Sequence, residues 1–190
     1  MFLRGRTAKL RAYVWGAALL ASACGAQSWC QALPTAEARV SSGVYVSFGG
    51  MKTHVEDFTF NALGVDAGLY YQPYALLGAE VRGGTYPLYA RFAQTPVTAG
   101  IRVGPREVRF GRPQVFGFIG GGMSKAQDAG PHYVATPAKW SPCWQASEGM
   151  DVPLGRFRWQ TYEATWTQTY TSFRSLGSLS LSTGLVYTFR

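Results

Sequence analysis

Charge is what this sequence has least of. Only 15% of its 190 residues are Asp, Glu, Lys or Arg, against about 25% in soluble domains. Intrinsic disorder is excluded as well, because it needs low hydrophobicity with high net charge and 47% of these residues are hydrophobic. Long apolar runs are also missing. Beyond residue 32 nothing approaches the ~18 consecutive apolar residues of a membrane-spanning helix. Cysteine and histidine are scarce: Cys24, Cys30 and Cys143, with His54 and His132. A set so sparse and scattered offers no disulfide framework and no zinc ligand cluster, and no cofactor is implied. The remaining class is a small β-rich domain with an unusual surface, about 150 residues long and preceded by a processing segment.

The formal charge of +8 is partly a property of that segment. Arg4, Arg6, Lys9 and Arg11 precede an apolar stretch over residues 12–23 (AYVWGAALLASA) and then small residues. This is the order of a secretory signal peptide, and the apolar run is too short for a transmembrane anchor. Residues 1–32 are assigned to the signal peptide and 33–190 to the mature domain. Cleavage falls after Ala26 or between Cys30 and Ala32. A lipoprotein reading at Cys24 would need Leu20 one place closer. Without the leader's four cations, 14 Lys and Arg face 10 Asp and Glu, a net of +4. Those cations are scattered apart from Arg102, Arg106, Arg109 and Arg112 near one turn, so no nucleic-acid partner is expected of an exported chain.

The mature chain alternates with period two, the signature of strands with one apolar and one polar face. Val44, Val46 and Phe48 oppose Ser41, Gly43, Tyr45 and Ser47. Leu63, Val65, Ala67, Leu69 and Tyr71 oppose Gly64, Asp66 and Gly68; Leu77, Ala79 and Val81 oppose Gly78, Glu80, Arg82 and Gly84. Val97, Ala99, Ile101 and Val103 oppose Thr98, Gly100 and Arg102. A fifth run, residues 114–123, is blurred by glycines on both parities. The sixth sets Trp140, Trp144, Ala146, Met150 and Val152 against Ser141, Gln145, Ser147 and Asp151, with Glu148 on the apolar side. The seventh sets Tyr162, Ala164 and Trp166 against Thr161, Glu163, Thr165 and Thr167, although Phe157 and Trp159 break its phase. The eighth sets Leu179, Leu181, Leu185, Tyr187 and Phe189 against Ser178, Ser180, Ser182 and Gly184.

Eight runs make an even number, and the connections are expected to alternate in length. Short ones fall at residues 72–75, 109–112 and 153–155, and longer ones at 51–61, 85–91, 125–139 and 168–176. Short turns at one end and long loops at the other fit a membrane barrel better than a soluble sandwich. The polar face is mostly Gly, Ser and Thr, whereas a solvated surface is about a quarter to a third charged. The apolar face therefore points outward into lipid, and the polar face lines a narrow lumen holding Asp66, Glu80, Arg82, Arg102, Asp151 and Glu163. Buried charges persist only when paired, so Arg82 and Arg102 are expected in an ion-pair network. Aromatics form two expected girdles: Tyr71, Tyr74, Tyr187 and Phe189 at the short-turn end, and Phe48, Tyr86, Tyr89, Phe92, Trp140, Trp166 and Tyr170 at the other.

The final strand, Ser182-Thr183-Gly184-Leu185-Val186-Tyr187-Thr188-Phe189, resembles the C-terminal assembly signal of outer-membrane proteins, with Ser182, Gly184, Tyr187 and Phe189 in its marked positions and Arg190 as the one departure. More broadly the mature chain resembles the small OmpA-like or porin-like outer-membrane β-barrels of Gram-negative bacteria. The pieces are Leu33-Pro34-Thr35-Ala36, Gly104-Pro105-Arg106 in the fourth strand, Arg112-Pro113-Gln114-Val115-Phe116, Gly149-Met150-Asp151, Arg158 with Glu163, and Gly184-Leu185-Val186-Tyr187. The resemblance implies an eight-stranded antiparallel transmembrane barrel in the outer membrane. Its implied partners are membrane lipid, lipopolysaccharide and the barrel assembly machinery, and the barrel is expected to be a monomer.

Among functions, an acyl-transfer enzyme needs a nucleophile beside an activated histidine. Only His54 with Glu56 and Asp57 offers a constellation, and His132 lies in another loop; a solvated loop is the plainer reading of both. Gly120-Gly121-Gly122 lacks the Gly-Lys-Ser/Thr ending of a phosphate loop. An open pore is opposed by the narrowness of eight strands. A non-enzymatic structural or surface-interaction barrel with a filled lumen is the expected function, with Trp140, Trp144 and residues 125–139 as contact candidates. A small pore or hydrophobic-solute channel is the alternative, and a lipid-modifying enzyme comes third.

Overall fold

The computed structural model describes residues 41–55, 58–88, 94–105, 110–126, 138–172 and 175–189. The leader, Cys24, Cys30, Glu56, Asp57, Tyr89, Phe92, Arg106, Arg109 and His132 lie outside the described residues. Eight strands follow one another: β1 Ser41–Val55, β2 Phe58–Gln72, β3 Leu77–Leu88, β4 Gln94–Val103, β5 Gln114–Ala126, β6 Lys139–Leu154, β7 Phe157–Tyr170 and β8 Ser175–Phe189. Each pairs antiparallel with its neighbour, and β8 returns to β1, so the sheet is a closed barrel. Closure removes every edge, which lets backbone N–H and C=O groups be satisfied without water.

The period-two pattern decides which side is which. Val46, Leu69, Val81, Ile101, Ile119, Leu181 and Leu185 are exposed on the outer surface. Ser47, Glu80, Arg82, Thr98, Arg102, Ser147 and Ser180 are buried inside. Exposed aliphatics around the whole wall and buried charge within are the reverse of a soluble barrel, and they are stable where hydrocarbon is the solvent.

Strand length corrects the expected loops. Residues 51–61 are not a loop: β1 runs to Val55 and β2 starts at Phe58, with Met51 opposite Ala62 and His54 opposite Thr59. β7 and β8 likewise consume most of residues 168–176. At the other end, Gly104 and Pro105 follow β4 rather than lying in it, and that connection spans residues 104–113. The expected contrast of loop lengths therefore fails. The reason is geometric. A 15-residue strand such as β1 is about 50 Å long at ~3.3 Å per residue. Tilted by roughly 40°, it rises about 38 Å, well beyond an apolar band of about 25 Å. The surplus lies at the end carrying the β1–β2, β3–β4, β5–β6 and β7–β8 connections, called here the upper end. There the outward positions turn polar at Lys52, His54, Asn61, Thr95 and Lys125. Once polar residues stand outward the apolar-out alternation ends, and the hairpin resembles a loop in sequence.

The broken phase of β7 has a local cause. Gln160 pairs with Asp151 and Tyr162 with Met150, so Thr161 is an extra residue in a β-bulge. Before it Phe157 and Trp159 face outward with Arg158 and Gln160 inside; after it the parity inverts, so that Tyr162 faces outward and Glu163 inward. Thr161 was expected on the lumen side and instead caps its own bulge, its Oγ1 donating to the Met150 carbonyl at 2.9 Å. Thr183 Oγ1 donates to the Gln160 carbonyl at 2.8 Å and accepts from Trp159 Nε1 at 3.3 Å. Hydroxyls thus serve backbone groups that the bulge releases on a lipid-facing wall. Below it, Gly155 (φ 82°) makes the tight β6–β7 turn that only a residue tolerant of positive φ accepts readily.

Two outward assignments need comment. Tyr86 was expected in the upper girdle but is buried in the lumen beside Met51 and Ala62, because its even parity follows Glu80 and Arg82. Glu148 does lie on the outer wall, between Gly117 of β5 and Ala164 of β7. No contact among the described residues accounts for it.

Candidate functional site: the charged layer of the lumen

Four strands deliver the lumen charges to one level. Glu80 and Arg82 come from β3, Arg102 from β4, Asp151 from β6, and Arg158 and Glu163 from either side of the β7 bulge. They form a chain of alternating sign. Arg82 Nη1 lies 2.7 Å from Glu163 Oε1, and the Arg82 guanidinium also grips Glu80, with Nε donating to Oε1 at 2.9 Å. Arg102 Nη1 donates to Glu80 Oε2 at 2.8 Å, and its Nη2 lies 3.4 Å from Asp151 Oδ2. Arg158 Nη1 stands 3.8 Å from the same oxygen. Three guanidiniums meet three carboxylates, so the layer is neutral, and all six side chains are almost fully buried. Charges so enclosed are tolerable only with such compensation.

Neutral groups complete the layer. Tyr45 Oη donates to Glu80 Oε1 at 2.9 Å, Ser147 Oγ to Glu163 Oε1 at 2.6 Å, and Gln160 Nε2 to Glu163 Oε2. Aromatic faces cover the guanidiniums: Arg82 lies 3.9 Å from the Phe118 centroid, and Arg102 lies 3.9 Å from Phe116 and 4.9 Å from Tyr70. Such stacking suits a planar, weakly hydrated cation. Glycine makes room for the rings. A Cβ on Gly68 would come 2.7 Å from the Tyr45 ring, and one on Gly149 would come 2.5 Å from that of Phe116. The gap among Tyr45, Tyr70, Arg102, Phe116, Asp151 and Glu163 leaves no room for a water molecule.

Above this level the lumen is lined mostly by neutral polar groups. Thr98 Oγ1 donates to Gln145 Oε1 at 2.6 Å, and Gln145 Nε2 to Thr167 Oγ1 at 2.9 Å. Higher still, Gln94 joins Thr169 and Ser178 at 2.8 Å each, and Ser178 meets Thr53 at 2.9 Å.

Of the six charges marked in the sequence, five join one chain: Glu80, Arg82, Arg102, Asp151 and Glu163. Asp66 stands apart, accepting from Tyr86 Oη and making no ion pair among the described residues. Sequence reasoning missed Arg158, Phe116 and Phe118. The phase shift at Phe157 and Trp159 was the available signal for Arg158, since it turns the intervening residue inward. For the phenylalanines the signal was Val115, Ile119 and Met123 sharing the lipid parity. The C-terminal positions divide between faces: Ser182 and Gly184 inward, Tyr187 and Phe189 outward, where Tyr187 packs edge-on against Phe157 and Phe189. His54 is not in a loop. It sits exposed on β1, with Nδ1 3.1 Å from Thr59 Oγ1. Cys143 is a free, buried thiol on β6.

A closed eight-stranded barrel with a lipid-suited exterior and a packed polar interior defines a transmembrane β-barrel. No protein-family model matches the chain, and no curated protein matches it in sequence. Solved structures do match in fold. Neisserial surface protein A superposes with a TM-score of 0.61 at 10% identity, covering 79% of this chain and 97% of that one. Ail, the attachment invasion locus protein of Yersinia pestis, solved with the heparin analogue sucrose octasulfate, gives 0.54 at 14% identity, covering 80% and 99%. The N-terminal β-barrel domain of Pseudomonas aeruginosa OprF gives 0.50 at 10%, covering 77% and 97%. The chain has the fold of the small OmpA-like outer-membrane barrels.

Proposed function

We propose that the protein is a non-enzymatic barrel of the Gram-negative outer membrane, exported by a cleaved signal peptide, with its lumen closed and its upper end serving surface contact. The observation carrying the closed lumen is the neutral chain from Glu163 through Arg82, Glu80, Arg102 and Asp151 to Arg158. It crosses the interior from β7 to β3, β4 and β6, with aromatic rings filling the remaining space. The upper end supports surface contact with anionic saccharide, lipopolysaccharide included. Lys52, Lys125 and Lys139 are exposed there, with Lys125 paired to Trp140 across β5 and β6. Ail was solved with a sulfated saccharide analogue. Ser182, Gly184, Tyr187 and Phe189 would be read by the assembly machinery. His54 meets the Thr59 hydroxyl on the exposed outer side of the β1–β2 hairpin, and no acid orients that pair among the described residues, which supports a role without catalysis.

Planar-bilayer recording tests the closed lumen: the wild type should show no sustained steps, and long-lived open states would refute the reading. Lipid A composition tests the absence of enzymatic activity. It should be identical with and without His54→Ala, and a change would overturn that part.

A further inference from the structure

Of the arginines near the β4–β5 connection, Arg102 points into the lumen and Arg112 is exposed on the turn, while Arg106 and Arg109 lie outside the described residues. The three lower connections are fastened into one face. Gly104 N donates to Leu76 O at 3.0 Å, joining the β4–β5 connection to the β2–β3 turn, and Gly111 N donates to Pro153 O at 3.0 Å, joining it to the end of β6. Thr188 N donates to Arg156 O at 2.9 Å, tying in the β6–β7 turn. This face presents Arg112 and Arg156, both exposed and without an ion pair among the described residues. It also presents Tyr74, Leu76, Phe110 and Leu154, with Phe110 at 78% and Tyr74 at 70% exposure.

We infer that the lower face binds anionic phospholipid of the adjoining leaflet, its arginines holding headgroup phosphate and its apolar tips entering the boundary of the acyl region. Large apolar side chains this exposed are unfavourable in water and favourable at a membrane interface, where aromatic residues concentrate. Guanidinium matches phosphate with two parallel hydrogen bonds. A juxtamembrane arginine strengthens binding to an anionic surface by about 5-fold. This inference rests on the transmembrane reading and adds a lipid preference to it.

The test is native mass spectrometry of the full barrel, folded in detergent with equal phosphatidylglycerol and phosphatidylcholine. A boiled and an unboiled aliquot on a denaturing gel verify folding separately, so failure of the barrel itself would show there first. The wild type should retain phosphatidylglycerol preferentially, and R112Q/R156Q should lower that preference by about 25-fold while keeping the gel shift. R112K/R156K, which keeps the charge, should retain most of it. Equal retention of the two lipids by folded wild type overturns the proposal. So does a preference that survives R112Q/R156Q or is abolished by K52Q/K125Q at the opposite end.

Discussion

Glu80 is the hub of the lumen layer, and removing its charge is the sharpest perturbation available. Its carboxylate serves Arg82, Arg102 and the Tyr45 hydroxyl, and its side chain has no exposed surface. Glu80→Gln keeps the volume but leaves three arginines facing Asp151 and Glu163 alone, one uncompensated positive charge in a buried layer. Removing one partner of a buried ion pair costs about 3–5 kcal/mol, and the substitution also replaces one of the two accepting oxygens with an NH2 donor and leaves the other neutral. With a urea slope of about 2 kcal/mol per M, the unfolding midpoint should fall by roughly 1.5–2.5 M. Tryptophan fluorescence of the lipid-inserted barrel, with the gel shift as an independent readout, measures it. The companion Glu80→Gln/Arg82→Met restores a balance of two and two. It should recover at least half the loss, because neutrality and not Glu80 as such is what the layer requires. A loss under about 1 kcal/mol for the single variant, or strictly additive losses in the double, would refute the reasoning.

Other consequences follow from particular contacts. Gly149→Ala places a Cβ 2.5 Å from the Phe116 ring, so it should destabilise by about 1–3 kcal/mol through overpacking in the same urea assay. Thr183→Val removes the donor to the Gln160 carbonyl on a lipid-facing wall; the orphaned acceptor should cost about 1–3 kcal/mol, whereas Thr183→Ser should cost much less. Glu148→Leu replaces the carboxyl between Gly117 and Ala164 and should raise the midpoint, since polar groups on the lipid face are unfavourable.

How much of this was legible in the sequence depended on whether lipid and lumen imposed opposite demands on alternate residues. Where they did, as in Leu179 to Leu185 against Ser178 to Gly184, strand, face and environment could all be read directly. The fold class and the inward charges followed from that contrast. Two circumstances hid the rest. Above the apolar band the outward residues are polar, so Lys52, His54 and Asn61 looked like loop although they are strand. Where a bulge inserts Thr161, period two slips by one, so Arg158 was not placed in the network it completes. Asp66 shows the opposite limit: its inward parity was evident, but its pairing with Tyr86 across one turn of the strand register was not. Glycines at Gly117, Gly120, Gly121 and Gly122 erased the alternation of β5, concealing the two phenylalanines that cover the arginines.

The central claim is an inverted barrel, apolar outward into lipid and polar inward. Spin labels placed singly along β8 from Ser178 to Leu185, with Cys143 exchanged for Ser, test it most directly. Collision with lipid-soluble oxygen should peak at Leu179, Leu181 and Leu185 and fall at Ser178, Ser180 and Ser182, with a period of two. High accessibility of Leu179, Leu181 and Leu185 to a water-soluble nickel complex, with no oxygen maximum there, would contradict the account.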